Sequence, residues 1–196
     1  ELDYTHQSGN IFKAGNEYRY LDIKSMRYMA EMVKNIDYQP PHYHVYLYPD
    51  ATRERGPYFY REDLNGRFYI EVQEGVNRDT EADYVYAHFS LPMEAPLVHG
   101  EVYVSGALNN WECNDVNRMQ YNFNTKAYEL ELLLKQGYYN YEYVYIMENS
   151  RFPDAAYLEG SFYEAENDYL VYVYLSTNTS RYDRLVAWQI LNSVRK

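Results

Sequence analysis

Cysteine is almost absent from this sequence. The chain of 196 residues contains one, Cys113, which excludes an intramolecular disulfide framework and a multi-cysteine metal site within a single chain. No glycine-rich elbow and no predicted helix start lies beside Cys113, although such features accompany reactive thiols. We therefore expect an ordinary loop cysteine at this position.

Long apolar runs are missing as well. No segment approaches the roughly 18 apolar residues that a membrane-spanning helix needs. The opening residues, Glu-Leu-Asp-Tyr, show neither the charged nor the apolar region of a secretory signal. The protein is therefore either cytosolic or has lost an export signal. A strand pattern that begins as early as Asn16 favours the second alternative, with the chain as a fragment of a longer protein.

Positive charge is also scarce. There are 18 lysines and arginines against 29 acidic residues, which gives a formal net charge of -11. Basic side chains must replace the counterions of a phosphate backbone when a protein binds nucleic acid, and the basic residues here form no stripe. This balance argues against nucleic acid as a partner.

Motifs of the common catalytic sites are missing too. The sequence contains no phosphate-binding loop, dinucleotide-binding fingerprint or serine elbow. We accordingly expect a protein that uses no cofactor and catalyses no reaction.

What the sequence does contain is tyrosine, 27 residues in all. Aromatic and β-branched residues fit half-buried pleated surfaces, and short alternating segments run along the whole chain. The predicted strands cover residues 18–23, 27–33, 42–48, 57–62, 68–72, 84–89, 101–106, 119–123, 127–134, 138–146 and 169–175. Residues 185–191 are predicted as a closing strand or a short helix. Asn65-Gly66 predicts a tight hairpin turn, because this pair accepts positive φ values.

A connector is predicted near the middle of the chain. The segment from Leu91 to Gly100 holds two prolines and a glycine, which interrupt strand pairing. The predicted fold is therefore all-β, with two tandem β-sandwich domains at residues 1–92 and 93–196.

The second half carries a recognisable pattern. Residues 102–111 read VYVSGALNNW, and residues 135–143 read KQGYYNYEY. This pattern resembles early-set immunoglobulin-like domains, which include glycogen- and starch-binding modules. The resemblance implies a sugar-stacking role for Trp111, with hydrogen bonds from Asn109, Asn110 and Asn167. Glu142 replaces the lysine of those modules, however, and a second stacking tryptophan is missing from residues 147–151, which favours a packing role for Trp111.

A resemblance that covers nearly the whole chain is carried by four motifs. They are GNIFKAGNEYR at residues 9–19, LKQGYYNY at 134–141, EGSFYEAENDY at 159–169 and YDRL at 182–185. In this order they resemble the plug protein family of the type IX secretion system. The resemblance implies a periplasmic all-β protein that sits under the outer-membrane translocon barrel and closes its periplasmic side. Full-length members of that family have a further amino-terminal domain.

The resemblance also points to candidate contact residues. Family matches fall on polar loops, where packing need not determine the residue type. These candidates for a partner surface are Glu159, Phe162, Tyr163, Asp183 and Arg184. The leading interpretation is a non-enzymatic interaction protein, and the alternative is a carbohydrate-binding module that binds a glycan.

Two groups of possible metal ligands remain. His42 and His44 share one face of a strand, a spacing that can chelate a metal if a third ligand approaches. The sequence identifies no third ligand, so a solvent-facing pair without metal is predicted. Asp79, Glu81 and Asp83 alternate as a calcium site might, but a charged edge that discourages strand addition explains them more simply.

Overall fold

Eleven strands account for most of the regular structure in the computed structural model, which describes residues 12–78, 80–177 and 181–193. The strands are β1 (Arg19–Asp22), β2 (Val33–Gln39), β3 (His42–Leu47), β4 (Phe68–Ile70), β5 (Tyr84–Pro92), β6 (Gly100–Ser105), β7 (Gln120–Asn122), β8 (Ala127–Lys135), β9 (Gly137–Met147), β10 (Asp168–Leu175) and β11 (Arg184–Asn192). A 3₁₀ turn at Ala107–Asn109 and a one-turn helix, α1 (Ala156–Glu159), are the helical elements of the described residues. The all-β fold class is confirmed.

Two sheets pack face to face as a sandwich. The first sheet has the strand order β2-β3-β5-β8-β7, in which β3 and β5 run parallel and the other neighbours are antiparallel. The second sheet is built around β9, with which β1, β4 and β6 all pair antiparallel. The core lies between them, because alternate residues of each strand point to one face. Fully buried examples are Leu21, Val45, Phe89 and Val104.

Tyrosines of β9 explain how so aromatic a chain forms a core. Alternate residues Tyr139, Tyr141, Tyr143 and Tyr145 are all buried. A buried phenol needs a hydrogen-bond partner. Tyr141 and Tyr143 both donate to Oδ2 of Asp50 at 2.7 Å, and Tyr145 donates to the carbonyl of Val98 at 2.8 Å. These tyrosines therefore fill the core without leaving a polar group unsatisfied.

Strand pairing does not divide at residues 92 and 93, where the sequence predicts a domain boundary. β5 ends at Pro92 and pairs along its whole length with β8, from Tyr84 opposite Lys135 to Pro92 opposite Ala127. β1 and β4 precede the predicted boundary but pair with β9, which follows it. The two prolines and the glycine mark a connection between strands of different sheets rather than a break in the core. The early-set immunoglobulin-like character of residues 93–196 stays a prediction.

Most predicted strands are present, with local differences. Residues 27–32 and 57–62 are not strands, and β2 is a strand that the alternation did not predict. Asn65 and Gly66 have φ values of 52° and 75°, and Arg67 N–H bonds to Leu64 O, which confirms the tight turn. No strand precedes that turn directly, so the predicted hairpin is wrong. Residues 185–191 lie in a strand, β11.

A separate hairpin follows the sandwich. β10 and β11 pair with each other from Asp168 opposite Asn192 to Leu175 opposite Arg184. They form a two-stranded sheet that shares no ladder with the other described strands. Nearly every residue in both strands is exposed.

Candidate functional site

The β10–β11 hairpin presents apolar side chains on both of its faces. On one face, Tyr172 lies opposite Trp188 and Leu170 lies opposite Ile190. On the other face, Val173 lies opposite Ala187. The exposed fractions of Trp188, Ile190 and Tyr172 are 64%, 55% and 50%. We call the exposed apolar residues of β10 and β11 the hairpin surface. They are Leu170, Val171, Tyr172, Val173, Tyr174, Leu175, Leu185, Val186, Trp188, Ile190 and Leu191.

Exposed apolar side chains on both faces are unexpected for a hairpin that pairs with no other described strand. A two-stranded hairpin alone is marginally stable in water and normally needs a third strand or a packed face. Contiguous exposed apolar patches mark contact sites on folded proteins. The hairpin surface is therefore the strongest candidate for a docking site in the described chain.

The predicted partner-surface residues do not lie on one surface. Glu159 is 1% exposed, so its prediction as a contact residue is wrong. Phe162 is half-buried with its ring 5.8 Å from that of Tyr58. Tyr163 is 86% exposed on a loop before β10. Asp183 and Arg184 are exposed beside the start of β11, next to the hairpin surface.

Glu159 is instead the centre of a buried ionic network. Its carboxylate accepts hydrogen bonds from Arg19 Nε at 2.9 Å, from Arg53 Nε at 2.6 Å and from the backbone N–H of Tyr143 at 2.8 Å. Arg19 also donates to Asp50 Oδ1 at 2.8 Å. The network ties α1 to β1 and β9, so the carboxylate of Glu159 serves the fold. Sequence reasoning missed it because its members lie far apart along the chain.

The candidate sugar-binding residues are largely engaged within the chain. The side-chain amide of Asn109 donates to the carbonyls of Val104 and Glu112 at 2.9 and 3.1 Å. That of Asn167 donates to Ala14 O at 2.7 Å. Asn110 is exposed in the left-handed conformation after the 3₁₀ turn. Trp111 is 46% exposed.

Tyr18, Asp63, Glu142 and Asn167 lie in the lining of an acidic groove of about 400 Å³. The indole of Trp111 interacts with the hydroxyl of Tyr18, and burial raises the pKa of that hydroxyl to about 12. Burial and the nearby Glu159 raise the pKa of Glu142 from 4.5 to about 7. The indole is thus held by a neighbouring tyrosine, in agreement with a packing role.

Cys113 is half-buried. Burial and Glu142 raise the pKa of its thiol, which disfavours the thiolate that a nucleophile requires.

The histidines and acids considered as metal ligands have different neighbours in the fold. His42 Nδ1 lies 3.2 Å from the carbonyl of Tyr84, whereas His44 Nδ1 lies 2.9 Å from His88 Nε2. Glu81 accepts the backbone N–H groups of Val76 and Asn77, just before β5 begins. Asp83 is exposed beside it, and Asp79 lies outside the described residues.

In the described residues, no helix has the length and apolar character to cross a membrane. No family model matches the sequence, and no curated protein matches it. The chain is similar to the crystal structure of a hypothetical protein from Parabacteroides merdae, with 41% identity and a TM-score of 0.82. The match covers 92% of this chain and 45% of that one. This chain thus spans less than half the length of the protein it matches.

Proposed function

We propose that this chain is a non-enzymatic interaction protein of the bacterial periplasm that docks on an outer-membrane translocon barrel and closes its periplasmic side. The observation that carries the proposal is the hairpin surface. The resemblance of four ordered motifs to the type IX secretion plug family supports the choice of partner.

The physical chemistry of the hairpin surface suits a docking role. Interface positions that contribute most to binding are enriched in tryptophan and tyrosine, and the cross-strand pair of Trp188 and Tyr172 lies in the middle of the hairpin. Burying one large apolar side chain contributes about 1.5–3 kcal/mol. Among the described strands, neither β10 nor β11 has a third strand as a neighbour, so a partner strand can add at an edge of the hairpin.

The test is a pull-down from envelope extract of the native host with the tagged chain as bait. Recovered proteins are identified and quantified by mass spectrometry. We expect the wild-type chain to recover the translocon barrel, and Trp188→Ser to lose most of it. Removal of a central aromatic contact weakens binding by about 2 kcal/mol or more, which is roughly 30-fold in Kd.

Two variants serve as matched controls. Phe59→Ser removes an aromatic side chain that is 74% exposed and lies outside the hairpin, and Trp111→Ala removes the candidate sugar platform. Both are expected to recover the barrel as wild type does, with or without added soluble glucan. Absence of the barrel from the wild-type pull-down, or equal recovery by Trp188→Ser, contradicts the proposal. Retention of glucan by wild type but not by Trp111→Ala would support the carbohydrate-binding alternative.

A further inference from the structure

Three side chains that can bind metal meet on the outer face of the first sheet. His44 comes from β3, His88 from β5 and Glu131 from β8, three strands that are neighbours in the sheet. His88 lies directly opposite Glu131. Val45, Ala87 and Leu132, which adjoin them in sequence, are buried in the core, so the alternation of each strand places all three candidates on the opposite face.

The three potential ligand atoms are close together. His44 Nδ1 lies 2.9 Å from His88 Nε2 and 3.8 Å from Glu131 Oε2, and the last two atoms are 3.4 Å apart. Ligands of a tetrahedral zinc ion at bond lengths of 2.0–2.1 Å are separated by about 3.4 Å. The three separations, 2.9, 3.4 and 3.8 Å, lie around that value. Small side-chain rotations therefore bring all three atoms to the distances that a bound zinc ion requires.

Aromatic neighbours hold both imidazoles in place. The ring of His88 stacks on Tyr46 at 4.2 Å, and the ring of His44 stacks on Tyr86 at 4.9 Å. Both histidines are half-buried. Ligands whose orientation is already restricted lose less conformational entropy when they bind.

We propose that His44 Nδ1, His88 Nε2 and Glu131 Oε2 bind one zinc ion on the outer face of the first sheet. Two imidazoles and one carboxylate form a known donor set for zinc sites that keep a fourth position open. His88 and Glu131 also line a groove of about 630 Å³ that extends past Lys34 and Ser90. The fourth position is thereby accessible to water or to a donor atom from a bound molecule.

The protonation of the site is compatible with metal binding. Burial lowers the pKa of His88 against the opposing effect of Glu131, which favours the neutral imidazole that a metal ion binds. In the metal-free state, either His44 Nδ1 or His88 Nε2 carries the hydrogen of the bond between them. On binding zinc, that hydrogen leaves the nitrogen and the imidazole takes its other tautomer, so that both facing nitrogens offer a lone pair.

The proposal is tested by calorimetric titration of the full, tag-free chain with zinc chloride, followed by cobalt(II) absorption spectroscopy. We expect one zinc ion per chain and the intense visible bands of tetrahedral cobalt. His88→Ala and His44→Ala should each weaken zinc binding by at least about 10-fold, since even loss of a residue that only orients a ligand costs that much. Glu131→Gln retains the shape but removes the charge, and it should weaken binding as well.

His42→Ala and His99→Ala are the matched controls. His42 lies two residues before His44 on the same strand, and His99 Nδ1 lies 3.6 Å from Glu148 Oε2. Both controls should bind zinc as wild type does. If His88→Ala proves poorly folded by circular dichroism, His88→Gln replaces it. Absence of zinc binding by wild type overturns the proposal. Zinc affinities of His88→Ala and His88→Gln that equal the affinity of wild type also overturn it.

Discussion

Glu142 is a carboxyl group whose proton affinity depends on the fold. It lies half-buried on β9, close to the carboxylate of Glu159, and burial raises its pKa from 4.5 to about 7. The folded state therefore binds a proton here more tightly than the unfolded state does. Its contribution to stability is complete below pH 4.5 and is lost as the pH rises through 7.

Replacement of this residue should remove that pH dependence. We expect Glu142→Gln to be more stable than wild type at pH 8, by about 2 kcal/mol, because the amide carries no charge to desolvate. At pH 4.5 the difference should close. Urea unfolding of both proteins at the two pH values measures it. An equal difference at both values would show that the carboxyl group does not titrate near neutrality.

At the residue scale, sequence reasoning found side chains but not their neighbours. The histidine pair on β3 was recognised from its spacing, yet the groups that approach His44 come from two other strands. Likewise the segment around Glu159 was recognised, but Arg19 and Arg53, which pair with its charge, lie more than a hundred residues away. Spacing along one strand reveals a shared face, whereas ligand sets and ion networks depend on which strands become neighbours.

Among the elements, the β10–β11 hairpin and the core strands should respond differently to substitution. Trp188→Ser and Ile190→Ser alter exposed positions, so each should change the unfolding free energy by less than about 0.5 kcal/mol. Leu91→Ala on β5 removes a side chain that is 0% exposed and should cost about 2–5 kcal/mol. Urea unfolding of the three variants is followed by far-UV circular dichroism, a backbone signal that does not depend on the substituted tryptophan. A cost for Trp188→Ser close to that of Leu91→Ala would mean that the hairpin packs against the sandwich.

Strands were the best predicted elements, and the reasons are local. β9 and β10 are rich in aromatic and β-branched residues, which are enriched in strands, and β8 alternates apolar and acidic residues from Tyr128 to Leu132. β2, with the sequence VKNIDYQ, has four polar residues and is formed through its pairing with β3. Residues 57–62 are aromatic but do not pair, so composition alone overestimated them.

For the whole molecule, the interleaved sheets predict that neither half folds alone. A fragment of residues 93–196 lacks β5, the partner of β8, and lacks β1 and β4, two partners of β9. A fragment of residues 1–92 contains β1, β4 and β5 but lacks β8 and β9, with which they pair. We expect both fragments to give no cooperative thermal transition, whereas the 196-residue chain unfolds cooperatively.

Mixing the two fragments provides the decisive comparison. If the halves share one core, an equimolar mixture should recover native-like circular dichroism that neither fragment shows alone. Cooperative unfolding of the isolated 93–196 fragment would instead support the two-domain interpretation from the sequence.

The central position of β9 also determines the order in which the chain can fold. β1 and β4 are synthesised long before β9, and Leu21 acquires its neighbour Tyr139 only when most of the chain exists. Pairings between distant residues slow folding, and strands that wait with open edges are prone to aggregate. During synthesis the edges of these early strands therefore stay open until β9 has emerged, and this interval is the one in which the chain is most exposed to aggregation.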